Sequence, residues 1–379
     1  MTRVHTRRTF LATGGAALAG FYLAACSGGS GNTTSSTSPV TEAKVDGDLD
    51  YINWEGYISD EVISGFEQEY GVKVNQTYFS SFADLHKKLA AGQPYDVTVT
   101  ASQDLPRLTQ NGLLQPVNHD LFENLDQIPA AFQNPQLTDD EKLNEQIARH
   151  LGGPYAYGDA GIQWLTNRVP DPQPSYRAFW DAPEQADGHI FLFDDPTYTI
   201  GVALGALGHP VQSSDPSQID EAAAALIELK PKLGGFTTQQ SQTKVESGDS
   251  WLGFAWAGNM YLAYKELAQP ETLGWAPAKE GGYSGSDFWT IPASAKHPGT
   301  ATLFLDWLLR PENAKKNVDT IAYPIPTTAG LAAYADLTKD IPWLQVDEAS
   351  IADFSRWTRP LDQQTAQRWQ QAWTKVRAA

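Results

Sequence analysis

The sequence predicts a two-lobed α/β fold, each lobe a mainly parallel sheet flanked by helices, with the lobes joined by extended hinge crossings. Three observations predict it. Strand-like and helix-like patterns alternate from Asp48, the alternation begins again at Ile190, and two aromatic, glycine-containing segments, 154–158 and 285–292, lie between recognisable lobe elements. Strands alternating with helices imply parallel pairing. Two extended connections between lobes make a hinge.

The first lobe opens with a strand at 49–54, followed by a helix on which Ile63, Phe66 and Tyr70 share one face, capped by Ser59 or Asp60. Next come a strand at 72–79, a helix at 82–91, a buried strand at 97–99 and a short helix at 105–110. The second set has a strand at 190–193, helices at 197–207 and 220–233, and a strand at 251–256. Helices at 300–309 and 363–376 complete the chain, the latter with Trp369, Trp373 and Val376 at helical spacing. Lobe 1 is therefore expected to comprise 48–157 plus 287–326, and lobe 2 to comprise 158–286 plus 327–379.

Ahead of the lobes, Arg3, Arg7 and Arg8 precede an apolar, small-residue stretch at 10–25 that is too short for a stable membrane span. Thr6-Arg7-Arg8-Thr9-Phe10-Leu11 carries the paired arginines of a twin-arginine export signal. Leu23-Ala24-Ala25-Cys26 has the small residues of a lipoprotein cleavage box. Residues 1–26 read as a signal ending at a lipidated Cys26, the only cysteine among 379 residues, so no internal disulfide is possible. The Ser/Gly/Thr/Asn-rich run that follows cannot bury enough apolar surface to offset chain entropy. Residues 27–47 are thus expected to be a flexible tether, holding the body by a lipid anchor at the periplasmic or extracellular face of the cytoplasmic membrane.

Lys and Arg number 27 against 45 Asp and Glu, for a net charge of −18. A surface of that sign repels phosphates, which argues against a nucleic-acid partner; it either concentrates cations or simply keeps the protein soluble. His5, His86, His119, His150, His189, His209 and His297 are scattered without metalloprotease spacing, and no cysteine pairs exist for zinc. The sequence has no Gly-x-Ser-x-Gly elbow, no Gly-Lys-Ser phosphate loop and no dinucleotide fingerprint. Neither a metal, a cofactor nor an enzymatic activity is expected. The pair Asp194-Asp195, followed by Pro196-Thr197, could do acid/base work, but it is also good N-cap chemistry, and one of the two is expected to cap.

Aromatic and acidic residues gather at the lobe edges: Trp54, Glu55, Tyr57, Asp195, Tyr198, Trp256, Asp287 and Tyr323. Ligands of open α/β sheets bind beyond the carboxyl ends of strands. An alkyl polyammonium needs flat rings for its methylenes and carboxylates spaced for its nitrogens. A Trp at a strand end also serves as core filler. Asp287, set between Gly285-Ser286 and Phe288-Trp289, would be costly without a partner.

Asn53-Trp54-Glu55-Gly56-Tyr57, Pro154-Tyr155-Ala156-Tyr157-Gly158, Leu192-Phe193-Asp194-Asp195, Leu252-Gly253-Phe254-Ala255-Trp256-Ala257-Gly258 and Ala322-Tyr323-Pro324-Ile325-Pro326 carry a resemblance. In order and spacing, over about 48–377, the chain resembles the spermidine/putrescine-binding components of bacterial ABC importers. The resemblance implies a periplasmic-binding-protein fold closing on a polyamine, with Trp54, Tyr57, Trp256 and Tyr323 in an aromatic box and Asp195 and Asp287 as amine-binding carboxylates. It also implies a permease and an ATPase as partners, and no catalysis by this subunit. The chain departs from the pattern at Ala101 and Gln103, where Ser and Tyr are frequent, at Tyr198 in place of a Glu, and at Gly285 in place of a Trp. Glu55 stands as a replacement acid where a small hydroxyl residue is more usual. The departures suit a shorter diamine or another cation; the alternative is the same fold binding another organic cation, an amino acid or a sugar.

Overall fold

The computed structural model describes residues 38–170, 172–238 and 240–379. The export-signal motifs and Cys26 lie outside the described residues. In chain order the strands are β1 (Leu49–Asn53), β2 (Val74–Tyr78), β3 (Val97–Ala101), β4 (Leu151–Leu165), β5 (Ile190–Leu192), β6 (Leu233–Phe236), β7 (Leu252–Trp256), β8 (Leu273–Ala276) and β9 (Tyr283–Thr290). They hydrogen-bond in the order β2-β1-β3-β9-β4-β7-β5-β6, with β8 on β4. β1 pairs in parallel with β2 and β3, and β5 in parallel with β6 and β7, giving the two expected parallel sets. Both crossing segments are strands: β4 and β9 lie antiparallel to each other and join the sets into one sheet.

Local chemistry accounts for the elements. Each residue of β3 is buried, as suits a Val- and Thr-rich strand covered on both faces. The helix Asp60–Tyr70 turns Val62, Ile63 and Phe66 inward, and burying each such side chain contributes roughly 1.5–3 kcal/mol. It stops at Gly71, whose φ of 69° takes the left-handed cap that glycine adopts at little cost. Ser59 precedes this helix in extended conformation without a side-chain cap bond.

Two large apolar cores flank the sheet. Leu151, Tyr155 and Tyr157 of β4, with Phe288 and Trp289 of β9, belong to the first core; Ala160 and Ile162 of β4, with Tyr283 of β9, belong to the second. The chain changes cores between residues 157 and 160. A smaller cluster sets Ile341 and Leu344 against Tyr261, Leu273 and Trp275.

Three expectations need correction. The helix expected at 220–233 runs Pro216–Leu229, because Asp215 accepts from Ser217 N at 2.8 Å to start it and Pro231 cannot continue it; Leu233 instead begins β6. The stretch after 326 does not belong wholly to the second lobe. Tyr334, Ile351 and Trp357 sit in the first core, and only Trp369, Ala372, Trp373 and Val376 enter the second. The chain therefore crosses a third time, beside β9, where Thr358 N donates to Ser284 O at 2.8 Å and Trp357 bridges to Ser284. The tether ends earlier than residue 47. Asn118 Nδ2 donates to Val40 O at 3.1 Å, and the Asp46 carboxylate accepts from Gly299 N and Thr300 N at 3.0 and 2.9 Å, capping the helix Pro298–Leu309.

Candidate functional site

Strand register brings distant residues to one place. Ala101, the last residue of β3, lies opposite Asp287 on β9; Trp256, the last of β7, lies opposite Ala160 on β4; and Gly158 lies opposite Gly285 where the two crossings pair. The carboxyl ends of both parallel sets thus meet the middle of the crossing pair. A cavity of about 830 Å³ opens there, within the roughly 300–1,000 Å³ typical of small-molecule sites. Trp54, Glu55, Tyr57, Tyr198, Trp256, Asp287 and Tyr323 all line it.

On the first side, Gly56 has a φ of 70°, which turns the chain after Trp54 and Glu55 so that Tyr57 comes back to the sheet. Tyr57 Oη donates to Asp287 Oδ2 at 3.0 Å, and Tyr155 Oη donates to Tyr57 O at 2.8 Å. Trp54 meets Phe79 and Phe82 edge-on, with centroids 4.4 and 5.2 Å apart. On the opposite side, Tyr198 stands edge-on to Trp256 at 5.3 Å, and Trp256 leans on Phe193 at 5.6 Å.

Two glycines shape the floor. A Cβ at Gly158 would come within 3.3 Å of the Trp256 ring and 3.9 Å of Tyr323, so bare backbone lies between two rings. A Cβ at Gly285 would stand 2.8 Å from Ser102 Oγ, which accounts for glycine here where the resemblance leads one to expect Trp.

The charges are one-sided. Among the described residues lining the cavity, Glu55 and Asp287 are carboxylates, and there is no Lys, Arg or His. Burial pushes the Asp287 carboxyl up to about 7; the Tyr57 hydrogen bond opposes the rise and the charge of Asp104 adds to it. Asp104 follows Gln103 at the end of β3 and is itself raised to about 6 by burial, with Arg107 opposing from 3.3 Å. Burial, followed by the charges of Asp195, Asp287 and Asp104, raises the Tyr198 hydroxyl, so this ring stays neutral.

Asp195 is the expected site residue that the structure leaves apart. It is not among the lining residues, because its Oδ1 accepts from Thr197 N at 2.7 Å and caps the helix Pro196–Ala206. Of the Asp194-Asp195 pair it is the capping member. Glu55 is exposed at the cavity wall. Phe79 and Phe82, a strand-end and a helix-start aromatic flanking a Ser-Ser turn beyond β2, also line the cavity, as do Thr238, Gln242 and Asn259 on the second side; none of the five is an expected site residue. Among the described residues, no group of three or more His, Cys, Asp or Glu is placed to hold a metal ion, and no helix is long and apolar enough to cross a membrane.

Comparison with known proteins bears on this arrangement. A family model described as bacterial extracellular solute-binding protein matches residues 61–342. The spermidine/putrescine-binding periplasmic protein of Escherichia coli K12 is 28% identical over 286 residues, covering 74% of this chain and 78% of that protein. The putrescine/cadaverine-binding protein of Pseudomonas aeruginosa is 26% identical over 291 residues, 74% of this chain and 79% of its own. Among solved structures, the spermidine/putrescine ABC transporter substrate-binding protein PotD of Streptococcus pneumoniae superposes with a TM-score of 0.72 at 20% identity, covering 88% of this chain and 99% of that one. The last likeness establishes the two-lobed α/β fold.

Proposed function

The chain belongs to the bacterial extracellular solute-binding protein family, and from that premise we propose that it captures a small organic cation of the polyamine class for an ABC importer. One observation carries the reading: an aromatic-walled cavity that holds two carboxylates and no basic residue. Rings of Trp54, Trp256 and Tyr323 flank the methylenes and offer cation–π contact. Asp287 accepts from an ammonium, a charge-assisted bond contributing roughly 1.5–3 kcal/mol, while Glu55 attracts the cation at the wall and Asp195 adds negative potential from behind.

The names of the curated relatives support the same class. In this reading the lobes close on the ligand and present a new surface to a permease and its ATPase. A lipid on Cys26 holds the protein outside the cytoplasmic membrane. No bond in the ligand is made or broken.

The test is thermal unfolding of the full chain against putrescine, cadaverine, spermidine, amino acids and neutral sugars, since a ligand that binds only the folded state raises the Tm by mass action. A saturable rise with an amine is expected. A rise with a sugar or amino acid and with no amine would overturn the reading.

A further inference from the structure

We infer that the ligand carries its positive charge at one end only, with an amine terminus at Asp287 and Glu55 and a neutral, amide-like terminus against Thr238 and Gln242. The inference rests on the polyamine-class reading and narrows it to monoacylated diamines.

The two sides of the cavity differ in kind. Both lining carboxylates come from the side built on β1, β3 and β9, whereas the described residues of the other side, among them Tyr198, Thr238, Gln242, Trp256 and Asn259, are uncharged. The acids near that second side are engaged elsewhere and do not line the cavity. Asp195 caps a helix, Asp194 pairs with Arg377 at 3.3 Å, and Glu246 accepts from Gln242 Nε2 at 2.6 Å. A second ammonium placed there would touch neutral oxygens only, the nearest carboxylate, Asp195, being held at its helix cap behind Tyr198, and a charge desolvated without a direct partner is costly.

The hydrogen-bonding capacity left on that side suits an amide. Because Gln242 Nε2 meets a carboxylate, the orientation of its side chain is settled, and Oε1 is an acceptor with no partner among the described residues. Thr238 Oγ1 already accepts from Asp194 N at 3.1 Å, so its hydroxyl proton is available to donate. One acceptor and one donor, both neutral, match the N–H and C=O of an acylated nitrogen. Leu262, an exposed apolar side chain on the same wall, offers a surface to the acyl carbon.

The experiment is calorimetric titration of the full chain at pH 8, where Asp287 is ionised, with putrescine and with N-acetylputrescine, repeated on Asn259→Asp. Asn259 lines the second side and is bonded to Ser241 Oγ at 2.9 Å and to the Tyr323 hydroxyl at 3.4 Å, both of which can donate to an aspartate. The variant therefore adds a carboxylate that keeps both partners, at the cost of the long 3.4 Å bond Ser241 Oγ now donates to Thr238 O. The wild-type chain is expected to bind N-acetylputrescine about tenfold or more tighter than putrescine, the cost of an ammonium left without a charged partner. Asn259→Asp should shrink or reverse that ratio.

Equal or tighter binding of putrescine by the wild-type chain would overturn the inference and leave the polyamine-class reading standing. A preference for the acetylated amine that the variant does not change would overturn the placement of the neutral end. Failure of every amine to bind would overturn both readings together.

Discussion

Replacing Asp287 with Asn keeps the side chain's shape and removes its charge. In the ligand-free protein this carboxyl is held at about 7 by burial, so at pH 8 it is mostly ionised and ready to accept from an ammonium. Losing the charge-assisted bond costs roughly 1.5–3 kcal/mol, which corresponds to an affinity about ten- to a hundredfold weaker. A second signature follows from the same titration. At pH 5 only about one molecule in a hundred carries the competent carboxylate, so the apparent Kd of the wild-type chain should rise about tenfold per pH unit below 7. Asp287→Asn should abolish that slope. Stability should move the opposite way: with its folded pKa raised above the ordinary carboxylate value, Asp287 contributes stability that is full below about pH 4 and is lost as the pH rises through about 7. The ligand-free variant should therefore have the higher Tm at pH 8. Titration calorimetry from pH 5 to 9, with thermal unfolding of the same samples, reads all three effects. An affinity within about threefold of wild type, or an undiminished slope in the variant, would refute the assignment of the ammonium to Asp287.

Two substitutions away from the charge test the frame. Asp46→Ala should destabilise the chain by about 1 kcal/mol, the usual value of a lost N-cap, because Gly299 N and Thr300 N lose their acceptor; urea unfolding unchanged from wild type would mean that residues 40–47 do not hold to the body. Ala322 has a φ of 56°, unlike every other described non-glycine residue, and this conformation costs an L-residue roughly 1–2 kcal/mol. Ala322→Gly should stabilise the chain by about 0.5–1 kcal/mol once glycine's own entropy is set against the relief, and a lower urea midpoint would show that the left-handed turn before Tyr323 is not strained.

Much of this was legible in the sequence because it is local. The apolar, β-branched run at 97–99 marks β3, and the spacing of Ile63, Phe66 and Tyr70 marks a helix face. Seven of the eight proposed ligand residues stand after strand ends or on a crossing, where the parallel rule puts ligands. What could not be read was the pairing of distant segments. Nothing near Thr358 announces a bond to Ser284, and nothing near Asp46 announces a helix starting at residue 298. Asp195 shows the converse problem: its Asp-Pro-Thr setting served two chemistries equally, and only the bond to Thr197 N separates them. Phe79 and Phe82 were hidden by their neighbours, since an aromatic residue at a strand or helix boundary looks like core until a cavity is seen beside it.

The return of the chain to both cores after residue 326 bears on its biosynthesis. The first core lacks Tyr334, Ile351 and Trp357 until they have been translated, and the second lacks Trp369, Trp373 and Val376, which are at most 6% exposed. Neither half can finish folding while the ribosome is still adding those residues, although each has already produced most of its strands. A message cut short would yield a chain with two unfinished cores and apolar faces such as Ile219, Ala222 and Leu226 left uncovered, a form that proteases and chaperones can distinguish from the finished protein. Folding competence here reports that translation has gone at least as far as residue 376.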